Sequence, residues 1–303
     1  MTDKKLFLFL VIACLCLGLE APCFGHPDIL ASVKIEDTYR LVVLSWNSAK
    51  SMYENVVFLA LGDADTGTPA SLRDRIAFTS NRAGKYDIYL ITAGRQEPEN
   101  LTSSFDGNFS DPSFVGENSL VCAGNVAGIN SVYLLDYTKD TLENLTPRFA
   151  NAGQPSTQIG SGNFVFTGII DNPPTYNGNT DIYLYADKDN SITRITGGDP
   201  LVNESYPYYG SDFILYGAAT GHLVNSAFIV EKSDIFRHDP VSGETVPITQ
   251  GKRLRSSPVL HDEMIYYLVM ESLSGRNLYF LEDGHEVKAT DGLFIASFCI
   301  MGK

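Results

Sequence analysis

The sequence is poor in several residue types, and each shortage argues against a class of protein. Its 303 residues include five cysteines and one tryptophan, and 22 lysines and arginines stand against 36 aspartates and glutamates. So few cysteines argue against a disulfide-rich scaffold. The formal net charge of −14 would repel phosphate backbones, so we expect no nucleic-acid partner. Charged residues make up only 19% and hydrophobic residues 44%, which is too apolar for a disordered chain.

A long hydrophobic run is also missing. The apolar run Leu6–Leu19 has 14 residues, fewer than the roughly 20 that cross a bilayer as a helix. It follows Lys4 and Lys5 and ends near small residues, as a secretory signal peptide does. We therefore expect residues 1–25 to be a signal peptide cleaved after Gly25, and the mature protein to be periplasmic or secreted and not transmembrane.

A lipid anchor at Cys14 is the alternative at this end of the chain. Val11–Cys14 is similar to the bacterial lipobox, in which the cysteine becomes a lipidated N-terminus. The apolar run continues past Cys14, which favours the cleaved signal peptide. Only Cys122 and Cys299 lie beyond residue 25, each in an apolar stretch typical of a strand, and we expect both to be buried free thiols.

The rest of the chain repeats a unit of four strand-like elements. One element ends in a threonine, and successive threonines are 44, 50, 53 and 41 residues apart. An alternating strand such as Asp87–Ile91 precedes each threonine, and a further apolar run such as Ile76–Thr79 lies upstream of that strand. The repeated threonines are Thr102, Thr146, Thr196, Thr249 and Thr290.

The fourth element of the unit is marked by a residue followed by proline. Because the first residue of a strand can dispense with its N–H, the prolines predict strands that begin at these pairs. The pairs are Asp111-Pro112, Gln154-Pro155, Tyr206-Pro207 and Ser257-Pro258, with Thr68-Pro69 opening the first complete unit.

A period of this length with four strands is typical of β-propeller blades. The N-terminus supplies three strand-like runs, Ile29–Ile35, Arg40–Trp46 and Asn55–Leu61, and Leu293–Phe298 supplies one more at the C-terminus. Joining them would complete a shared blade and leave no exposed sheet edge. The sequence therefore predicts an all-β fold: a six-bladed β-propeller over residues 26–303, closed by a C-terminal strand that joins an N-terminal three-stranded blade.

The first complete unit resembles one blade of the TolB family of propellers. Ile76–Tyr89 reads Ile-Ala-Phe-Thr-Ser-Asn-Arg-Ala-Gly-Lys-Tyr-Asp-Ile-Tyr, and Asn100–Thr102 and Ser110–Phe114 follow it. These stretches match the Ile-Ala-Phe-Thr-Ser-Asn-Arg, Leu-Thr and Asp-Pro elements of that family's blades. The resemblance is partial around Tyr133 and Tyr183 and weak in later units.

Two features depart from the TolB pattern. Full-length TolB proteins carry an α/β domain before the propeller, and we expect none here. The usual Ser-Pro-Asp-Gly turn is replaced by Val115–Asn118. The resemblance therefore implies an extracytoplasmic, stand-alone TolB-like propeller.

No catalytic motif is present in the sequence. It contains no Gly-x-Ser-x-Gly, no Gly-x-x-x-x-Gly-Lys-Ser/Thr and no His-Glu-x-x-His. His222, His238, His261 and His285 occupy non-equivalent places in the repeat, whereas a metal site shared between blades should use equivalent ones. We therefore expect no catalytic residue, no metal and no cofactor.

Two acidic residues are candidates for ligand binding. Asp106 and Asp111 lie in the connection before an X-Pro strand, where clustered oxygens could bind calcium. The same residue types make turns, and the repeat favours that interpretation. Asp87, Asp181 and Asp234 recur just before strands, and we predict that each makes a turn-side hydrogen bond.

Other binding candidates come from aromatic residues and long connections. Tyr206 and Tyr208 belong to an innermost strand and could lie at the mouth of the propeller channel. His222 belongs to the long connection Gly217–Glu231, and Asp171–Asn179 is a second long connection. Long propeller loops are common binding sites.

These features favour a non-catalytic protein-binding scaffold in the cell envelope, acting as a monomer with a protein partner. The alternative is a propeller hydrolase or lyase acting on a carbohydrate or peptide at the channel mouth. A purely structural envelope component is a third hypothesis.

Overall fold

The computed structural model describes residues 26–301 except 60, 61, 63, 96, 171–178, 198, 200, 225 and 226. Within these ranges the chain forms 24 β-strands and no helix, and so contains no helix able to cross a membrane. The predicted signal peptide, Cys14 and most of the Asp171–Asn179 connection lie outside the described residues.

The strands are short and follow one another closely. The first eight are β1 (Ile29–Ile35), β2 (Thr38–Asn47), β3 (Met52–Phe58), β4 (Thr66–Leu72), β5 (Arg75–Ser80), β6 (Asp87–Thr92), β7 (Glu99–Asn100) and β8 (Asn108–Phe114). The next eight are β9 (Ser119–Val126), β10 (Ile129–Asp136), β11 (Thr141–Asn144), β12 (Asn151–Thr157), β13 (Phe164–Ile169), β14 (Asp181–Ala186), β15 (Ser191–Arg194) and β16 (Val202–Tyr209). The last eight are β17 (Ile214–Val224), β18 (Ala227–His238), β19 (Thr245–Pro247), β20 (Leu254–His261), β21 (Met264–Ser272), β22 (Gly275–Glu282), β23 (His285–Lys288) and β24 (Ile295–Ile300).

Consecutive strands pair antiparallel in groups of four. The groups β4–β7, β8–β11 and β12–β15 each form one sheet. The groups β16–β19 and β20–β23 are joined into one larger sheet by a parallel pair between Ser233 and Leu254. Chain order and spatial order therefore agree, as expected for strands connected by short turns.

The remaining sheet joins the two ends of the described chain, in the order β24-β1-β2-β3. Strand β24 pairs antiparallel with β1, which places Ile29 opposite Ile300 and Leu30 opposite Cys299. This is the pairing that the sequence predicts, although β24 begins two residues after the predicted Leu293.

The hydrophobic core is divided into clusters that lie between neighbouring sheets. Phe78 from β5, for example, belongs to the same cluster as Leu30 and Leu41 from β1 and β2. Another cluster brings the last group against the first, with Tyr266 of β21 packed among β1, β2 and β24 residues such as Val42. The many aromatic residues of the composition fill these spaces between sheets.

The repeated threonines tie each unit together. The Thr102 hydroxyl accepts a hydrogen bond from the Ile88 N–H at 3.1 Å and donates one to Asp87 at 2.7 Å. The same arrangement recurs where Thr249 donates to Asp234 at 3.3 Å. The prediction of a turn-side hydrogen bond is confirmed for Asp87 and Asp234, whereas Asp181 accepts a hydrogen bond from Arg194 at 2.5 Å.

The X-Pro pairs lie inside strands, so the prediction that strands begin there is wrong. Strand β8 already starts at Asn108, and Pro112 is its fifth residue. The register between β8 and β9 shifts between Ser110 and Ser113, which is a β-bulge. A bulged residue is released from the ladder, and a bulge therefore accommodates a proline.

The bulge recurs with the same backbone geometry. In five inner strands the residue before proline has a left-handed φ, although none of the five is a glycine. They are Thr68 (φ 36°), Asp111 (φ 51°), Gln154 (φ 50°), Tyr206 (φ 51°) and Ser257 (φ 55°). We call them the pre-proline residues. The five register shifts coincide with them.

The predicted loop Gly217–Glu231 is instead an extended β-hairpin. Strand β17 runs to Val224, β18 begins at Ala227, and His222 pairs with Ile229 across the hairpin. The stretch Ala227–Val230 consists mostly of β-branched and aromatic residues, which favour pairing over an irregular connection.

Candidate functional site

The innermost strand of each four-stranded group contributes to one central cavity. In the order β24, β4, β8, β12, β16 and β20, each inner strand contacts the next, and β20 contacts β24. Together they line a cavity of about 380 Å³, which we call the channel cavity.

Neutral side chains dominate the wall of the channel cavity. Five prolines contribute, together with apolar residues such as Phe114 and Phe298 and hydroxyl residues such as Ser113. The Tyr208 hydroxyl donates a hydrogen bond to the Leu260 carbonyl at 3.2 Å, and burial raises the Tyr208 pKa. The tyrosine therefore stays neutral at physiological pH.

The pre-proline residues link neighbouring inner strands. The bulge leaves the N–H of a pre-proline residue outside its own ladder, and in three cases a side chain from the adjacent inner strand accepts it. These hydrogen bonds run from Thr68 N to Ser297 Oγ (3.0 Å), from Asp111 N to Thr68 Oγ1 (3.2 Å) and from Tyr206 N to Gln154 Oε1 (2.8 Å).

Asp111 is the carboxyl group at this level of the channel. Its Oδ2 accepts a hydrogen bond from the Ser110 hydroxyl at 3.1 Å. Burial raises the Asp111 pKa, and the serine hydrogen bond opposes the shift. The carboxyl can therefore donate a hydrogen bond at a higher pH than an ordinary aspartate can.

A second cavity, of about 530 Å³, lies beside β8, β12 and β16. It shares Asp111, Gln154 and Tyr206 with the channel cavity, so these residues stand between the two spaces. Its wall is rich in side-chain amides, and we call it the amide groove. The amides are those of Asn108, Asn125, Asn130, Asn151, Gln154 and Asn203.

The structure brings together only some of the predicted binding residues. Asp111, Tyr206 and Tyr208 all line the channel cavity. Asp106 is exposed in the connection between β7 and β8, and His222 is exposed on the β17–β18 hairpin. The described residues contain no group of three histidine, cysteine, aspartate or glutamate side chains arranged to hold a metal.

Sequence reasoning missed the amide groove, although a signal was present. Asn108, Asn151 and Asn203 each lie four residues before the proline of their own unit. Equivalent positions in adjacent units face the same space, so this register marks a shared wall.

The β17–β18 hairpin ends in an exposed apolar tip. Leu223, Val224, Ile229 and Val230 are each between 42% and 46% exposed. The His222 Nδ1 lies 2.8 Å from a Glu231 carboxylate oxygen at the base of this tip. In the pairing register Leu223 and Val230 lie on one face of the hairpin and Val224 and Ile229 on the other, so each face carries an exposed aliphatic pair.

Solved structures with the same fold include two TolB proteins. TolB from Acinetobacter baumannii superposes with a TM-score of 0.64 at 18% identity, covering 90% of this chain and 66% of that one. A putative TolB from Agrobacterium tumefaciens gives 0.63 at 13% identity, covering 88% and 90%. The β-propeller domain of the Trilobed protease from Pyrococcus furiosus gives 0.51 at 13% identity, covering 88% and 95%. No family model and no curated protein matches the sequence.

These similarities establish the fold of the chain. It is an all-β, TolB-like β-propeller, and the resemblance noted from the first complete unit is confirmed at this level. The chain spans 66% of the length of the Acinetobacter protein. At these identities the similarity concerns architecture alone.

Proposed function

We propose that residues 26–303 form a six-bladed propeller closed by β24 on β1, and that it is a non-catalytic protein-binding scaffold of the cell envelope. The ring of contacts between six inner strands supports the blade count. Closure is supported by the pairing of β24 with β1 and by the core cluster shared by the first and last groups.

The apolar hairpin tip carries the binding part of the proposal. Val224 and Ile229 lie on the same face of a paired β-ladder and are exposed on a strongly acidic protein. Burying such a patch against a partner is favourable by about 25 cal/mol per Å² of apolar surface. A rigid hairpin also loses little conformational entropy on binding.

Location and processing complete the proposal. We infer that the protein is monomeric and extracytoplasmic, with its mature N-terminus at His26. N-terminal sequencing of the exported protein tests the mature N-terminus, and cell fractionation tests the extracytoplasmic location. An acylated N-terminus at Cys14 would contradict the cleaved signal peptide, and a cytoplasmic full-length chain would contradict export.

The binding test compares two hairpin tips of the same molecule. A Val224→Asp/Ile229→Asp variant should capture at least about tenfold less envelope partner by cross-linking, since losing two buried aliphatic contacts on one face costs more than about 1.4 kcal/mol. Leu273→Asp is the matched control, because Leu273 is 97% exposed at the tip between β21 and β22. Equal capture by the wild type and both variants would remove the β17–β18 tip from the interface.

A further inference from the structure

The amide groove has a chemistry of its own, separate from the apolar hairpin tip. We propose that it binds a neutral oligosaccharide. The groove lies between three consecutive inner strands, and its volume of about 530 Å³ falls in the usual range of ligand pockets. Three observations carry the proposal: the fixed orientation of its amides, its lack of basic groups, and its exposed tyrosine rings.

Three amides of the groove are fixed in orientation by the backbone. Each uses its oxygen to accept a backbone N–H, which can only donate, so the oxygen and nitrogen positions are not interchangeable. The NH₂ groups of these amides are thereby left as donors on the groove wall. The hydrogen bonds run from Tyr86 N to Asn108 Oδ1 (3.0 Å), from Thr180 N to Asn203 Oδ1 (2.9 Å) and from Tyr206 N to Gln154 Oε1 (2.8 Å).

A second pair of amides offers both kinds of hydrogen-bonding group. The Asn125 Nδ2 donates to the Asn130 Oδ1 at 2.7 Å, which leaves an acceptor on Asn125 and a donor on Asn130. The hydroxyl groups of Ser110 and Ser205 also line the groove. Sugar hydroxyls both donate and accept, so a saccharide can satisfy this mixed set of groups.

The charges of the groove favour a neutral ligand. No lysine or arginine is among the residues that line it, and Asp111 is its one carboxyl group. An anion would meet no fixed positive charge and a protein with a net charge of −14. A cation would meet the single carboxyl group of Asp111 rather than the clustered oxygens that hard cations require.

Two tyrosine rings give the groove apolar surfaces against which sugar rings can pack. Tyr86 and Tyr206 line the groove and remain 44% and 37% exposed. The guanidinium of Arg276 lies 5.9 Å from the centre of the Tyr206 ring and helps to hold it in place. An aromatic face beside fixed polar groups provides both the apolar contact and the orientation that a saccharide needs.

The test is isothermal titration of the full-length mature protein with maltotriose, cellotriose and chitotriose. We expect saturable binding of at least one of them, at concentrations up to about 10 mM. Asn108→Asp and Asn203→Asp keep an acceptor for the backbone N–H but remove the NH₂ donor. Each variant should weaken binding about five- to tenfold, because it removes one hydrogen bond to the ligand.

Asn144→Asp is the matched control for these variants. The Asn144 Oδ1 also accepts a backbone N–H, from Thr146 at 2.9 Å, and it lies outside the groove. The proposal is overturned if none of the three trisaccharides binds, or if Asn144→Asp weakens binding as much as Asn108→Asp does. Binding of tetra-alanine with the same sensitivity to the two groove variants would identify a peptide site and overturn the saccharide assignment.

Discussion

At the scale of single residues, Glu204 is a buried carboxyl group whose ionisation is costly. It lies on β16, two residues before Tyr206, and is 8% exposed. Burial, and to a lesser degree the charge of Asp181, raise its pKa to about 7 from an ordinary value of 4.5. The folded protein therefore keeps a proton on Glu204 at pH values where the unfolded chain has released it.

This difference predicts a pH dependence of stability with a definite sign. The free energy of unfolding should fall as the pH rises from about 4.5 to about 7, and the Glu204 penalty should be complete above that range. Glu204→Gln should remove the slope and raise the unfolding free energy at about pH 8 by about 1–3 kcal/mol. Urea unfolding at about pH 5 and pH 8 measures both effects. The exposed Glu244→Gln serves as control, and equal slopes in both variants would contradict the assignment.

Single residues also show where sequence reasoning reached its limit in the site. Asp111 and Tyr206 could be placed at the channel because the X-Pro register of the repeat identified an inner strand. Asn108 and Asn203 were not predicted as site residues, since an isolated asparagine gives no sign of which cavity it faces. What makes them part of a groove is the orientation of their amides, and that depends on backbone N–H groups from a neighbouring blade.

At the scale of secondary-structure elements, a buried charge network joins three strands. Arg255 on β20 is 3% exposed and lies 2.8 Å from Asp234 on β18. Its Nε and Nη2 donate to both carboxylate oxygens of Glu286 on β23, at 2.6 and 2.9 Å. The Tyr267 hydroxyl donates to the same glutamate at 2.8 Å. The network holds two neighbouring blades in register.

Removing the arginine should be far more damaging than removing an exposed one. Arg255→Met leaves the buried Asp234 with Lys232 at 3.7 Å and the half-buried Glu286 with Arg253 at 3.4 Å, and we expect the free energy of unfolding to fall by about 3 kcal/mol. Arg73→Met is the control, because Arg73 pairs with Glu117 at the surface and should cost less than about 1 kcal/mol. Chemical denaturation of the two variants compares them. Similar losses would mean that the network adds nothing beyond a surface pair.

The elements themselves were predictable to different degrees. Strands such as β1 and β6 follow the alternation of the repeat, and the sequence places them within one residue of their observed ends. The inner strands were predicted to start too late, because a proline is normally found at the first residue of a strand. A β-bulge also accommodates a proline inside a strand, and the isolated X-Pro pairs do not reveal it. The β17–β18 extension was missed because Gly217–Glu231 was interpreted as a long connection between two strands.

At the scale of the whole molecule, the stability of the propeller should depend on the pairing of its two ends. Leu30 and Cys299 are directly opposed in the antiparallel pair of β1 and β24. Opposed residues lie about 4.5–5.5 Å apart at Cα, within the range of a disulfide. Leu30→Cys should therefore form an intramolecular disulfide with Cys299.

The oxidised variant should unfold at a higher urea concentration than its own reduced form. We expect its free energy of unfolding to be about 2–4 kcal/mol larger. Comparing the two redox states of one variant cancels the cost of replacing the buried Leu30. Thiol titration and mass analysis check that the bond is within one chain. More than the one free thiol of Cys122 after oxidation, or a disulfide between two chains, would contradict closure by β24.

The pre-proline bulges have a consequence for how such a molecule can change. Five equivalent positions carry threonine, aspartate, glutamine, tyrosine and serine on the same left-handed backbone. Since the bulge and the proline set that backbone, the side chain can vary while the ladder on either side is unchanged. Selectivity of the channel cavity can therefore evolve or be engineered at a position such as Tyr206 without changing the surrounding strands. Thr68 and Gln154 are more constrained, because their side chains accept the N–H of the next pre-proline residue.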